Sequence, residues 1–249
     1  MIEGLYRFAG HNILIRSHYD SVQELCRDYR AEGEPELIVE PSMEEIRREQ
    51  EISDRENQME GKPLSRFPES YLEHLAVYRK IAQWMVTRNT LLLHGSVIAV
   101  DGAAYLFTAK SGTGKSTHAR LWRELFQERA IMVNDDKPLL IVGEEKVMAC
   151  GTPWNGKHHL GTNLSLSLQG IAILNRGEEN TIEPADEREA FAMLIQQAFR
   201  PEDPVLMART MELLDRIRRC VPVWNLHCNM ELSAARVAYD AMSQRKGSR

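Results

Sequence analysis

The chain has 249 residues, of which 43% are apolar and 27% charged, enough to build one large α/β domain or two small ones without a disulfide or metal staple. Its net charge of -5 argues against broad nucleic-acid or anionic-membrane binding, so any affinity for phosphate must be local. No apolar run has the length of a signal peptide or approaches the roughly 20 residues of a membrane span. The expectation is a cytoplasmic protein whose cysteines, Cys26, Cys150, Cys220 and Cys228, lack CxxC spacing and stay reduced and buried.

The first stretch predicts short strands at "NILIRS" and "ELIVE", with a helix over "DSVQELCRDY" capped by Asp20 or Ser21. "PSMEEIRREQEISDRENQMEGKP" is dense in both signs of charge, and Ser42 with Glu45 has capping-box spacing. It reads as a solvated helix face or a mobile arm. "GKPLSRFPES" then punctuates the chain at Gly61, Pro63 and Pro68. The boundary expected there separates a small N-terminal α+β segment, residues 1–66, from a larger domain, residues 67–249.

Tyr71, Leu75, Tyr78, Ala82 and Met85 recur at helical spacing, and Leu72, Ile81 and Trp84 widen the stripe into a core-facing helix. "TLLLHGSVIAVDGAAYLFTAK" follows as a strand pair in which Asp101-Gly102 supplies the positive-φ residues of a tight hairpin. Downstream come a helix to about Arg129, strands at "IMV" and "PLLIV", a turn at "GEEK" and the tract "VMACGTPWNGKHH". Strands "GIAILN" and "TIEP" flank the turn "RGEEN". Two helices, "DEREAFAMLIQQAF" and "PVLMARTMELLDRIRRC", a strand "VPVWNLHC" and a last helix from Glu231 complete a largely helical C-terminal part.

"SGTGKST", comprising Ser111, Gly112, Thr113, Gly114, Lys115, Ser116 and Thr117, lies between an apolar strand and a helical pattern, which is the context of a P-loop. Its glycines let backbone N–H groups turn inward, and the following helix adds its N-terminal partial charge. Lys115 would reach the β- and γ-phosphates of ATP, and the Ser116 hydroxyl would enter the Mg²⁺ shell. The usual GxxxxGK[ST] spacing puts a glycine where this chain has Ala109, which is tolerable if the φ there is negative.

"IMVNDDKP" places Asp135 and Asp136 at the end of a strand expected beside the P-loop strand in a parallel sheet, where ligands gather at carboxyl ends. One carboxylate would hold Mg²⁺ and the other would accept a proton from an incoming hydroxyl; an Asp-rich turn before Pro138 is the plainer reading. "GTPWNGKHH", Gly151 to His159, is either a substrate or γ-phosphate loop in which Lys157 neutralises developing charge, or a surface loop anchored by Trp154. His94 in "LLLHGS" is a core histidine or a site residue. His118 approaches the nucleotide or is exposed, and Arg176 contacts phosphate or is solvated.

Together "LLLHGS", "SGTGKST" and "VNDDKP" resemble, in the same order, the motifs of the HPr kinase/phosphorylase and phosphoenolpyruvate carboxykinase superfamily. "SGTGKSTHARLW" and "GTPWNGK" are similar to bacterial HPr-kinase-like proteins that include peptide and small-molecule kinases. The resemblance implies an α/β fold with a mixed central sheet. It also implies nucleotide and metal binding by Lys115 and Ser116, a base at Asp135 or Asp136, and an active-site role for His94. An oligomer is implied as well, since HPr kinases are hexamers. A missing counterpart of their later metal-binding glutamate and a short N-terminal segment argue against HPr as the acceptor.

The reading is therefore a P-loop kinase that transfers the γ-phosphoryl group of ATP to a hydroxyl of a small molecule or a peptide serine. Asp135 is assigned as the base, Asp136 and Ser116 as Mg²⁺ ligands, and Lys115, Lys157 and His94 complete the active site. No nucleic-acid or membrane partner is expected. A nucleotide-sensing regulatory module and a phosphorylase running the reverse reaction are the alternatives.

Overall fold

Ala9 (φ 48°) and Gly10 (φ 89°) supply two consecutive positive-φ residues, so the chain reverses tightly between β1 (Ile2–Phe8) and β2 (His11–Ser17), which pair antiparallel from Ile2↔Ser17 to Phe8↔His11. β1 escapes a reading by apolar alternation, because Glu3, Gly4 and Arg7 interrupt "IEGLYRF", yet Tyr6 and Phe8 bury completely. β3 (Leu37–Val39) joins β2 in parallel to finish a three-stranded sheet.

The computed structural model describes every residue except Glu60, Lys62, Lys157 and 245–249, and divides into two units, Met1–Trp84 and Met85–Arg249. The division falls near the end of a helix, beyond the Gly61–Pro68 tract where the sequence suggested a boundary.

In the first unit a short helix α1 (Ser21–Leu25) follows β2, and the charged tract forms a continuous helix α2 (Met43–Met59). The capping box is made: Ser42 N–H donates to Glu45 Oε2 (2.8 Å) and Glu45 N–H to Ser42 Oγ (3.2 Å). Ile46 of α2 packs with Leu72 and Ala76 of α3 (Glu69–Val86). The expected stripe on α3 buries at Leu72, Tyr78, Ile81, Ala82 and Met85, joined by Val77, while Tyr71 at its start is 43% exposed. Glu73, also on α3, is fully buried, accepting the His18 N–H (2.6 Å) and the Tyr19 N–H (3.0 Å).

The second unit is built on a nine-stranded mixed sheet in the order β4-β8-β9-β10-β6-β5-β7, with β12 pairing β10 and β11 pairing β12. The strands are β4 (Thr90–Leu92), β5 (Ser96–Val100), β6 (Ala103–Thr108), β7 (Ala130–Asn134), β8 (Leu139–Val142), β9 (Val147–Cys150), β10 (Ser165–Arg176), β11 (Thr181–Pro184) and β12 (Val223–Cys228). β5 and β6 form the expected hairpin, with Asp101 at φ 52° and Gly102 at φ 79°. β10 is longer than the apolar run "GIAILN" suggested. Its first residues pair antiparallel with β9, and beyond Leu168 it runs parallel to β6 and then to β12. A change of partner along one strand curls the sheet.

The alternation within β5 decides the layering. Val97 and Ala99 face a core shared with Leu213, Leu214 and Ile217 of α6 (Pro204–Cys220) and Leu194 of α5 (Glu187–Gln197). Ile98 and Val100 face the opposite core, with Trp122 of α4 (Lys115–Phe126) and Ala235 and Ala238 of α7 (Leu232–Met242). Helices therefore cover both faces of β5.

β5 also corrects one expectation. β7 does not lie beside β6: β5 pairs antiparallel with both and separates them. The two outer strands still run the same way, so their carboxyl ends reach the same edge.

The cysteines are free, with Cys26 and Cys150 buried and Cys220 and Cys228 half-buried. Among the described residues no helix is long and apolar enough to cross a membrane.

Replacing Glu73 by Ala leaves two part-buried backbone donors without their acceptor and should destabilise the first unit by about 1–3 kcal/mol, whereas Glu73→Gln, which keeps one acceptor, should cost less. Urea unfolding of the two variants against the native chain measures both.

Candidate active site

β6 leads straight into the loop that starts at Ala109, which is fully buried and has no positive φ, so alanine is accommodated at that position. Gly112 (φ 75°) and Gly114 (φ 125°) then take conformations that favour glycine, and nothing would meet a Cβ at Gly112. At both positions the backbone angle, rather than lack of space, makes the demand. The loop is tied by Thr113, whose N–H and hydroxyl both donate to the Lys110 carbonyl at 3.3 and 2.8 Å. Lys115 folds back so that its Nζ lies 3.5 Å from the Ala109 carbonyl. Gly114 caps α4, whose first turn presents N–H groups without intrahelical acceptors. Ser111 and Ser116 are exposed, and Thr117 is half-buried on that turn.

α4 is held by its buried face. Trp122 is fully buried among Tyr105, Phe107 and Phe126, and its indole N–H donates to His118 Nε2 at 3.0 Å. His118 is thus neither a nucleotide contact nor exposed. It is 2% exposed, its ring stands edge-on to Phe107, and burial pushes its pKa down to about 4. The neutral imidazole accepts through Nε2 and belongs to the packing that fixes the helix.

At the end of β7 the acidic pair is organised by the preceding residue. The Asn134 side chain is fully buried; its amide donates to the Thr152 carbonyl (3.0 Å) and hydroxyl (2.9 Å), and its carbonyl accepts the N–H groups of Asp136 (2.9 Å) and Lys137 (2.7 Å). Thr152 Oγ1 in turn donates to the Lys137 carbonyl at 2.7 Å. One side chain therefore joins the "NDDKP" turn to the "GTPWNG" loop.

Asp135 is 7% exposed and accepts the Ser96 hydroxyl at 2.7 Å. Ser96 begins β5 in register with Phe107, two residues before Ala109, so this bond brings Asp135 to the strand that enters the phosphate loop. Asp136 faces His94 and Lys137 instead. His94 Nε2 lies 3.2 Å from its Oδ1 and Lys137 Nζ 2.9 Å from its Oδ2. Burial alone would raise its pKa, but the His94 hydrogen bond together with the charge and hydrogen bond of Lys137 hold it well below the usual carboxylate range. His94 is fixed from behind: its Nδ1 lies 3.1 Å from Gln197 Oε1, and its backbone N–H donates to the Gln197 carbonyl at 2.8 Å.

The "GTPWNG" tract is not a free surface loop. Thr152 and Trp154 are buried, the Lys137 N–H donates to the Trp154 carbonyl at 3.1 Å, and Gly156 (φ 72°) lies against Asp136. Gly151 has no room for a side chain, since a Cβ would run into the Thr162 carbonyl oxygen. Lys157, expected to neutralise charge here, lies outside the described residues. His158 and His159 are exposed.

The residues brought together are Asp135, Asp136 and His94, with Ser111 to Thr117 at the carboxyl end of β6 on the same sheet edge. Sequence reasoning missed Ser96, Asn134, Thr152 and Gln197. Asn134 alone had a local signal: asparagine before a turn accepts from N–H groups two and three residues on. Ser96 and Gln197 act across the fold, and no spacing announces them. Among the described residues no cluster of three or more His, Cys, Asp or Glu side chains could hold a metal. A cation here would therefore use one or two carboxylates, the Ser116 hydroxyl, water and ligand oxygens, which is how Mg²⁺ is held.

Replacing Asn134 by Ala should cost about 2–4 kcal/mol, since two buried and two part-buried hydrogen bonds lose their partner, and should loosen the turn that carries Asp135 and Asp136. Thermal unfolding checks the first effect, and faster amide exchange at Asp136 and Lys137 the second.

No curated protein matches the sequence. Among solved structures, the Hpr(Ser) kinase/phosphatase from Coxiella burnetii is similar at 13% identity and a TM-score of 0.35, over 61% of this chain and 99% of that one. A likeness that distant decides nothing about activity. The sequence itself is more specific. Residues 69–231, which span the phosphate loop, the acidic turn and the strands and helices that hold them, match the family described as SynChlorMet cassette protein ScmC, and the chain belongs to that family.

Proposed function

We propose that this chain is a kinase that binds Mg²⁺-ATP at Ser111–Thr117 and transfers the γ-phosphoryl group to a hydroxyl of a small molecule or a peptide serine. One observation carries the reading: the glycine-shaped loop after β6 and the Asp135–Asp136 turn after β7 end at one sheet edge, tied through the Ser96 hydroxyl on Asp135. A loop that only bound anions would have no use for two carboxylates next to it. Kinase chemistry needs both, because phosphoryl transfer depends on positioning and charge neutralisation around a metal.

The roles follow from what each side chain faces. Asp136, whose carboxylate is kept ionised by the hydrogen bonds from His94 and Lys137, would with Ser116 hold Mg²⁺. Bound Mg²⁺ would neutralise the transferring phosphate. Asp135 faces a hydroxyl, that of Ser96, and would accept the proton of the acceptor hydroxyl. Lys115 would leave the Ala109 carbonyl to meet the phosphates, and the first-turn N–H groups of α4 would receive their oxygens. His94, braced by Gln197, orients Asp136. Lys157 is proposed to meet developing charge from the acceptor side. We further propose a cytoplasmic protein, with a homo-oligomer as the state to test.

Lys115→Ala should abolish turnover. Asp135→Asn should keep ATP binding while transfer falls by roughly 10²–10⁴-fold. Mass spectrometry of metabolites and proteins from a cell extract incubated with Mg²⁺-ATP and the native chain, against Asp135→Asn, tests this. A species gaining one phosphate only with the native chain supports the kinase and names its acceptor. ATP binding without any new phosphorylated species refutes it in favour of a nucleotide-sensing module. Full transfer by Asp135→Asn removes the base assignment.

A further inference from the structure

Arg176 stands at the last position of β10, a strand that runs parallel to β6 and so ends at the edge where the phosphate loop begins. Its Nη2 donates to the Gly112 carbonyl at 2.7 Å, a bond between residues 64 apart in the chain. Arg176 is exposed, and among the described residues no carboxylate pairs with it. The turn behind it is secured: Gly177 N–H donates to the Cys228 carbonyl (3.1 Å), and Asn180 and Asn229 exchange hydrogen bonds at 3.0 and 2.9 Å. The guanidinium is therefore presented from a braced strand end rather than from a loose turn.

Gly112 is the residue of the loop whose backbone is least constrained by sterics, with φ at 75° and open space around its Cβ position. Left alone, the Gly112–Thr113 peptide could rotate at small cost. In a trans peptide the C=O and N–H point in opposite directions, so holding the Gly112 oxygen toward Arg176 turns the Thr113 N–H the other way, to the side where it meets the Lys110 carbonyl inside the loop. A flipped peptide would instead set the Gly112 carbonyl oxygen against the Lys110 carbonyl and break the turn that shapes the loop. Electrostatics also favour the observed arrangement, because a cation beside the loop attracts anions to it.

We propose that Arg176 is a positioning residue of the phosphate loop, which fixes the direction of the Gly112–Thr113 peptide and so preforms the cradle for a nucleoside triphosphate. The proposal rests on the kinase reading for its ligand but not for its geometry. Removing a charge-assisted bond that exists before binding should weaken the ligand, while a shorter-range cation should restore part of the effect.

The test uses the full chain and two measurements on the native protein, Arg176→Ala and Arg176→Lys. The first is amide exchange at Thr113 in the ligand-free protein, which needs no nucleotide; the second is calorimetric binding of Mg²⁺-ADP. Faster Thr113 exchange in Arg176→Ala, about tenfold weaker ADP binding, partial recovery of both in Arg176→Lys and an unchanged ligand-free melting temperature are expected. Unchanged Thr113 exchange in Arg176→Ala overturns the proposal, whether or not nucleotide binds. So does a loss of affinity that accompanies a lowered melting temperature in both variants, which would make Arg176 a general stabiliser. If the native chain binds no ADP while Thr113 exchange responds as expected, the positioning role stands and the nucleotide reading fails.

Discussion

Because β5 runs antiparallel to both β6 and β7, it makes its two neighbours parallel to each other without a crossover between adjacent strands. The parallel strands β6 and β7 are joined by a crossover through α4, with β5, the partner of β6 in the Asp101-Gly102 hairpin, lying between them. Every candidate residue depends on that choice. If β5 were displaced by one residue, Ser96 would turn to the other face, lose Asp135, and separate the acidic turn from the loop after β6. The full burial of β5 on both faces, with alternate residues committed to different cores, is what pins this register.

The two halves of the site are held by different physics. The acidic half is a dense network of short-range hydrogen bonds centred on Asn134 and closed by Thr152, so its geometry exists before any ligand arrives. The phosphate half is a chain of backbone turns tied by the Thr113, Lys115 and Arg176 side chains, shaped by two glycines and by the aromatic anchorage of α4 behind it.

Much of this organisation was legible in the residues. The loop, its flanking strand and helix, the Asp101-Gly102 hairpin and the capping box at Ser42 each rest on local chemistry that spacing reveals. The Asp pair was visible, but its surroundings were not, since β5 between β6 and β7 is a matter of strand order, which no periodicity encodes. Histidines were read least well: His118 looked like a helix-surface residue near a phosphate site, and although Trp122 stands one turn along the same helix, Phe107, which closes over the ring, comes from β6. β1 was hidden because a glycine and two charged residues interrupt its apolar positions, while its pairing partner and tight turn impose the strand.

The aromatic anchorage of α4 has an optical consequence. Trp122 lies in a dry ring cluster directly behind the phosphate loop, while Trp154 is buried in the loop that packs against the acidic turn. Indole emission is sensitive to the polarity and proximity of its neighbours. Two of the chain's four tryptophans thus lie one behind each half of the site, and a movement of either half can be followed in the unlabelled protein by leaving that indole in place and replacing the other three by phenylalanine.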